Sequence, residues 1–202
     1  MSDEVIAGYS AAAPGLIARY DAISVEEMFA PVADLLPSAP SRIADIGAGT
    51  GRDAAWLASL GHSVTAVEPV AALREAGQTL HPDPGICWVD SRLPDLAALA
   101  GDEAGFDLVQ LIGVWQHLDD GQRDSAIRRL ADLIAPGGRL ILSYRHGPAS
   151  PGRPVHAGTV EHTIDGAAAN ALTLLRRRAA DSVQAVNRAA GVHWTWLVFE
   201  RV

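Results

Sequence analysis

The sequence contains a single cysteine, and this scarcity limits the chemistry open to the chain. Cys87 has no second cysteine to pair with, so neither an internal disulfide nor a thiolate metal cluster can form. Chains without disulfides are typical of reducing compartments, and we expect a cytoplasmic protein. Cys87 lies within an apolar segment, where we expect it to contribute to packing.

Basic residues are also few compared with acidic ones. The chain has 16 Lys and Arg against 24 Asp and Glu, a formal net charge of -8. A negative surface disfavours docking on phosphate backbones and on anionic lipid headgroups. No apolar run approaches the length needed to span a bilayer, and no cationic region opens the N-terminus. We therefore expect neither nucleic acid nor membrane as a partner.

What the sequence does contain is short β-rich segments alternating with Ala/Leu-rich amphipathic ones. This alternation predicts an α/β three-layer sandwich, in which helices cover both faces of a mostly parallel sheet. A length of 202 residues, 49% of them apolar, fits one domain. The predicted strands are Arg42–Ile46, Ser63–Val67, Ile86–Val89, Phe106–Ile112 and Arg139–Tyr144, followed by a terminal pair at Ala171–Arg177 and His193–Glu200.

Helical and loop segments flank this core. A helical region is predicted up to about Leu36, with a capping box formed by Ser24 and Glu27. Residues 147–158 are rich in proline and glycine and are predicted to form a loop.

Polar residues stand where the first three predicted strands end. The first strand carries Asp45 and runs into a turn with glycines at 47, 49 and 51, which lets the backbone turn sharply and approach a ligand. The second ends at Glu68, a carboxylate suited to two ribose hydroxyls, and the third at Asp90, which suits an exocyclic amine. Ligands of open α/β sheets bind at this edge, so the pattern predicts a nucleoside site.

These residues resemble those of the class I S-adenosylmethionine-dependent methyltransferases. The resemblance covers about residues 41 to 145 and includes Asp45-x-Gly47-x-Gly49-x-Gly51, Glu68, Asp90, the segment from Phe106 to Leu118 and Ala135-Pro136-Gly137-Gly138. It implies a single Rossmann-like domain over residues 1–202, with a seven-stranded sheet in the order 3-2-1-4-5-7-6 and strand 7 antiparallel. Residues 1–40 would form a helical cap, 41–145 the cofactor-binding core, and 146–202 a substrate-side loop with the terminal strand pair.

The resemblance also implies the cofactor, S-adenosyl-L-methionine, and the residues that hold it. Its methionine part would lie on the glycine turn, its ribose at the end of the second strand and its adenine at the end of the third. Arg19 would pair with the methionine carboxylate. The implied cofactor residues are Asp45, Gly47, Ala48, Gly49, Glu68, Pro69, Asp90, Ser91, Leu93, Ile112, Gly113 and Arg19.

The segment after the fourth strand indicates the kind of acceptor. It reads Ile112-Gly113-Val114-Trp115 and lacks the Asn/Asp-Pro-Pro-aromatic signature of many nucleic-acid and protein amino-methyltransferases. It resembles the branch that acts on small molecules. We therefore expect methyl transfer to a small-molecule acceptor by in-line displacement, catalysed mainly by positioning, from a monomer or a homodimer.

A hydroxyl or protonated amine acceptor would need a base. His117 and His146 are the candidates, because both follow a predicted strand end. A structural role before the next helix is the alternative for His117. The other histidines follow no ligand spacing, so no metal site is predicted.

The substrate pocket is predicted from the loops around those strand ends. Trp115 would form its wall or, alternatively, cap the core. Arg145 would act with Arg153 on the loop up to His156 to engage an anionic acceptor. Trp194 and Trp196 lie on one strand face, which favours packing.

Two other functions stay open at this point. A nicotinamide-dependent oxidoreductase also joins a strand, a glycine turn and an acid, but here Arg52 replaces the third glycine of its fingerprint. A non-catalytic protein that binds an adenosyl ligand has the same cofactor residues. Formation of S-adenosylhomocysteine distinguishes the methyltransferase from such a binding protein.

Overall fold

The computed structural model describes residues 1–101 and 105–202 and contains one seven-stranded sheet. The strand order is β3-β2-β1-β4-β5-β7-β6, and β7 runs antiparallel to both of its neighbours. This confirms the predicted order and the predicted antiparallel strand. The strands are β1 (Arg42–Ile46), β2 (Ser63–Val67), β3 (Ile86–Val89), β4 (Phe106–Leu111), β5 (Ile134–His146), β6 (Leu172–Asp181) and β7 (His193–Arg201).

Helices cover both faces of the sheet, as predicted. Successive residues of β1 point to opposite faces, so Ile43 packs with Leu57 in one core and Ala44 packs with Leu130 in the other. The helices are α1 (Asp3–Asp21), α2 (Val25–Phe29), α3 (Arg52–Ser59), α4 (Ala71–Leu80), α5 (Asp120–Leu133), α6 (Val160–Ala168) and α7 (Ala185–Ala189). No helix in the described part of the chain is long and apolar enough to cross a membrane.

Several boundaries differ from the sequence-based predictions. Strand β5 begins at Ile134 rather than Arg139, because Ile134 pairs with Phe106 and a register shift absorbs the Pro-Gly-Gly segment that follows. Strand β4 ends at Leu111, one residue before its predicted end at Ile112. Cys87 is exposed, because β3 is an edge strand, so the expectation that it packs in the core was wrong.

The predicted capping box at the start of α2 forms only in half. Ser24 Oγ accepts a hydrogen bond from the Glu27 N–H at 3.2 Å, which is the N-cap contact. The Ser24 hydroxyl donates to the Glu26 carboxylate. The second bond of a capping box, from the Ser24 N–H to the Glu27 side chain, is not among the contacts of the described residues. A complete capping box joins Asp119 and Gln122 at the start of α5, just beyond the carboxyl end of β4.

Helix α1 lies directly against the loop that follows β5. A Cβ added at Gly8 would stand 1.7 Å from the carbonyl oxygen of Gly152, so the two backbones touch where Gly8 has no side chain. Val5 and Leu16 of the same helix are buried. The absence of a side chain at Gly8 thus sets the spacing between α1 and this loop.

We predict that Gly8→Ala separates α1 from the loop after β5. Because the new methyl would meet backbone, the variant should lose about 1–3 kcal/mol of stability, measured by thermal unfolding. Gly15→Ala is the matched control on the same helix, because nothing lies within 4 Å of its Cβ position. The control should be neutral or stabilising by up to about 1 kcal/mol. Equal unfolding temperatures for the two variants would contradict this packing.

Candidate functional site

A cavity lies at the carboxyl ends of β1, β2 and β4. Its floor consists of residues 47–50 after β1, residues 68–70 after β2 and residues 112–114 after β4. Helix α1 and the loop after β5 contribute its other walls. This is the edge at which open α/β sheets bind ligands.

The turn after β1 brings its backbone close to the cavity. Gly47 and Gly49 have φ angles of 78° and 59°, in the left-handed region that glycine enters without strain. The Gly47 N–H donates to the Val67 carbonyl at 2.8 Å, which fixes the turn to β2. A Cβ at Gly47 would stand 2.4 Å from Val114, so this position has no room for a side chain.

Glu68 joins this turn to the start of α4. Its Oε2 accepts from the Gly49 N–H and its Oε1 from the Val70 N–H, both at 2.8 Å. Burial raises the pKa of Glu68 to about 7, against the opposing effect of the two N–H donors. Each carboxylate oxygen keeps a further lone pair, so Glu68, which lines the cavity, can accept hydrogen bonds from ligand hydroxyls.

Asp45 lies in β1 behind the turn and does not line the cavity. It is 2% exposed, and its Oδ2 is a buried acceptor without a hydrogen-bond partner in the described residues. Burial, and next the negative charge of Asp53, raise the pKa of Asp45 to about 7. The side chain therefore provides an acceptor that the protein itself leaves unpaired.

The residues predicted to hold adenine lie beside the cavity rather than in it. Asp90 and Ser91 line a separate depression, and Pro69 lines both this depression and the main cavity. The Asp90 carboxylate is exposed and accepts from Arg74 at 3.0 Å. Leu93 is buried, and its carbonyl accepts from the Met1 amine at 2.5 Å.

His117 lines the cavity and is held on both ring nitrogens. Its Nδ1 lies 2.7 Å from the carbonyl oxygen of Pro154, which can only accept, so Nδ1 carries the proton of the neutral ring. Nε2 is then the acceptor, and the Tyr9 hydroxyl donates to it at 2.9 Å. Burial lowers the pKa of His117 to about 4, which keeps the ring neutral at physiological pH.

Two other predicted site residues lie outside the cavity. Trp115 is fully buried and donates its Nε1–H to Thr163 at 2.9 Å, so it belongs to the core rather than to a substrate wall. His146 lies 2.9 Å from the Thr195 hydroxyl and stacks on His193 with ring centroids 4.7 Å apart. The structure therefore brings His117, and not His146, to the cavity.

The remaining predicted residues do line the cavity, along with several that the sequence did not single out. Arg19 and Arg145 are among the predicted ones. Trp194, which was expected to pack, also lines the cavity, whereas Trp196 is buried against Phe29. Residues that no motif indicated are Met28, Gln116, Gln184 and Asn187.

Across residues 1–101 and 105–202, no three His, Cys, Asp or Glu side chains are grouped so that they could hold a metal ion. The polar groups of the cavity include the glycine turn, the Glu68 carboxylate, His117 with its Tyr9 partner, and several arginines.

The strand order and the glycine turn are those of the Rossmann-like methyltransferase fold. Residues 43–138 match the family model described as a methyltransferase domain, which runs from β1 into β5. This match spans 96 of the 202 residues, and over that segment the chain is similar to methyltransferase domains.

Among curated proteins, the chain is similar to methyltransferases of two bacterial groups. It is 34% identical over 109 residues to the ubiquinone biosynthesis O-methyltransferase of Xanthomonas axonopodis, with 54% of this chain and 44% of that protein aligned. It is 31% identical over 117 residues to an uncharacterized methyltransferase of Mycobacterium tuberculosis, with 54% and 42% aligned. The chain thus spans less than half the length of the curated relatives it matches.

Among solved structures, the similarity extends over nearly the whole chain. The 1,6-didemethyltoxoflavin-N1-methyltransferase of Burkholderia thailandensis superposes with a TM-score of 0.75 at 20% identity, covering 98% of this chain and 88% of that one. A TehB-like methyltransferase of Corynebacterium glutamicum gives 0.69 at 19% identity, covering 95% and 99%. At these identities the likeness establishes the shared fold.

We predict that Asp45→Asn stabilises the protein more at about pH 8 than at about pH 5. The raised pKa means that the folded state binds the Asp45 proton more tightly than the unfolded state, whose pKa is about 3.9. The stability contributed by this group is therefore complete below about pH 4 and is lost as pH rises through about 7. The asparagine variant does not titrate, so its unfolding temperature should exceed that of the wild type chiefly at the higher pH.

The matched control is Asp132→Asn on the exposed face of α5. Its effect on the unfolding temperature should be the same at both pH values. A pH-independent difference between Asp45→Asn and the wild type would contradict the buried, uncompensated state of Asp45.

Proposed function

We propose that this chain binds S-adenosyl-L-methionine and transfers its methyl group to a small-molecule acceptor. The observation that carries the proposal is the Glu68 carboxylate, buried at the end of β2 and held by the N–H groups of Gly49 and Val70 beside the cavity. An acceptor-only group in this position suits the two hydroxyls of a ribose. Its negative charge would repel the 2′-phosphate of NADP.

The residues present fit the rest of the cofactor. Gly47 and Gly49 have no side chain to keep a ligand from the backbone of the turn after β1, and Asp45 lies directly behind this turn. Pro69 separates the ribose end from the depression that contains Asp90 and Ser91, which we assign to adenine. Ile112 and Gly113 face the methionine side from β4, and Arg19 would pair with the methionine carboxylate.

Relatives support this assignment. The Burkholderia methyltransferase was solved with S-adenosylhomocysteine and its small-molecule substrate bound. The magnesium protoporphyrin IX methyltransferase of Synechocystis, which has a TM-score of 0.65, was solved with S-adenosylmethionine. Neither the nicotinamide oxidoreductase nor the non-catalytic binding protein has comparable support. The division of residues 1–202 into cap, core and substrate side remains a prediction, as do the cytoplasmic location and the choice between monomer and homodimer.

The bound cofactor would supply an electrophilic methyl group on its sulfonium sulfur. The protein's contribution is to orient the acceptor opposite that sulfur and to exclude water, both of which favour displacement. Helix α1 and the loop after β5 cover the cavity through the Gly8–Gly152 contact, which supports the second of these roles.

Tyr9 and His117 supply a route for a proton when the acceptor is a hydroxyl. The acceptor O–H would give its proton to the Tyr9 oxygen while Tyr9 gives its own proton to His117 Nε2. This route would carry away the proton that a hydroxyl acceptor releases when the bound cofactor methylates it. The Nδ1–H bond to the Pro154 carbonyl favours the imidazolium, against the larger opposing effect of burial.

We predict that Glu68→Gln weakens binding of S-adenosylhomocysteine by about 10- to 100-fold. This corresponds to loss of a charged hydrogen-bond acceptor, worth about 1.5–3 kcal/mol. Calorimetric titration measures the change. Glu75→Gln, on the exposed face of α4, is the control and should bind like the wild type. Equal affinities for both variants would remove Glu68 from the cofactor site.

We also predict that His117 titrates at about pH 4 and not near its ordinary value of about 6.5. The ring should stay neutral, with its proton on Nδ1, from about pH 8 down to about pH 5, because burial opposes its charged form. Nitrogen-15 NMR of the imidazole reports both the titration and the tautomer. Titration of His117 near about pH 6.5, or a proton on Nε2, would contradict the proton route.

A further inference from the structure

The part of the cavity near Tyr9 contains two arginines that have no carboxylate partner among the described residues. Arg145 at the end of β5 and Arg153 in the following loop both line the cavity and are both half-buried. Among residues 1–101 and 105–202, the hydrogen bond of the Arg145 guanidinium is to the Gly147 carbonyl at 3.2 Å, and the Nε of Arg153 is a buried donor without an acceptor. Within the described residues, neither forms an ion pair with an Asp or Glu.

The two charges lie close enough to affect each other. Burial lowers the pKa of Arg145, and the positive charge of Arg153 lowers it further. Burial likewise lowers the pKa of His117, and both arginines add to that shift. Two cations that repel each other, partly removed from water, destabilise the protein unless an anion joins them.

The carboxylates of the cavity wall cannot neutralise this pair. Within the described residues, the wall contains two acids, Asp53 and Glu68. Asp53 accepts from Arg52 at 2.7 Å, and Glu68 accepts from the backbone N–H groups of Gly49 and Val70. The positive charge of Arg145 and Arg153 is therefore available to a ligand.

Aromatic side chains accompany the two arginines. The guanidinium of Arg153 lies over the Tyr9 ring, 5.1 Å from its centroid, and Trp194 lines the same cavity. The guanidinium is thus held in place by a cation–π contact and not by an acid. Such surroundings suit a ligand that combines an anionic group with a flat apolar body.

The methionine carboxylate of the cofactor is the competing anion, but Arg19 is better placed for it. Arg19 lies 5.8 Å above the Tyr20 ring, and that ring is 3.7 Å from the Cβ position of Gly49, so both lie over the glycine turn. Arg153 instead accompanies Tyr9, the partner of His117.

We propose that Arg145 and Arg153 bind the anionic group of the methyl acceptor, so that the acceptor is a small molecule bearing a carboxylate or phosphate. This inference rests on the proposed function, because it assigns the acceptor half of the same cavity. The anion would place the acceptor beside the Tyr9 hydroxyl, where the proton route begins.

The test uses benzoate, phenyl phosphate and the neutral isostere benzamide as probes. Each is titrated into the wild-type protein with and without S-adenosylhomocysteine, and binding is followed by tryptophan fluorescence, because Trp194 lines the cavity. We expect benzoate or phenyl phosphate to bind at least about 10-fold more tightly than benzamide, as a charged hydrogen bond would give. The stronger of the two anions distinguishes a carboxylate acceptor from a phosphate acceptor.

Arg145→Gln and Arg153→Gln should abolish this preference while leaving the affinity for S-adenosylhomocysteine unchanged. Both variants should unfold at the same temperature as the wild type or higher, because each removes an uncompensated charge, so loss of folding does not account for the result. Arg128→Gln, on the exposed face of α5, is the matched control and should keep the preference.

Equal binding of the anions and benzamide to the wild type would overturn the inference. A loss of S-adenosylhomocysteine affinity in the arginine variants would also overturn it, by assigning the pair to the cofactor carboxylate. Failure of the wild type to bind S-adenosylhomocysteine would instead contradict the proposed function. In that case, the titrations without that ligand still test the arginine pair by themselves.

Discussion

The site depends on one buried carboxylate that two backbone N–H groups hold in place. Glu68 bridges the turn after β1 and the start of α4, and it can do so only because β1 and β2 are parallel neighbours that end in register at Ile46 and Val67. Gly49 must adopt a positive φ angle for its N–H to reach the carboxylate. The carboxylate oxygens that we propose as acceptors for a ribose are therefore positioned by the sheet itself.

Charged groups without an internal partner also occur around the site. Among the described residues, Asp45 Oδ2 has no hydrogen-bond partner, and neither Arg145 nor Arg153 forms an ion pair with an acid. Buried charge of this kind lowers the stability of the ligand-free protein, and an anion bound by the two arginines would relieve it there. His117 lines the same cavity; burial keeps its ring neutral and the Pro154 carbonyl orients it, as the proposed proton route requires.

The sequence predicted the sheet because its signals are local. Parallel strands buried on both faces are short apolar runs, and the glycine turn follows the first of them directly. It misplaced the start of β5, because Gly137 and Gly138 are typical of a turn but here lie at a register shift inside the strand. The sequence also left two roles open for Trp115, the wall of the substrate pocket or a cap on the core. The decision needs the burial of this side chain and its hydrogen bond to Thr163, which the sequence does not show. Tyr9 and His117 are 108 residues apart, so no spacing could predict their contact.

The most direct test of the account is a calorimetric titration of the unaltered protein with S-adenosylhomocysteine, with NADH as the comparison ligand. The proposed function predicts saturable binding of one S-adenosylhomocysteine per chain and no saturable binding of NADH. Absence of S-adenosylhomocysteine binding, or tighter binding of NADH, would contradict it.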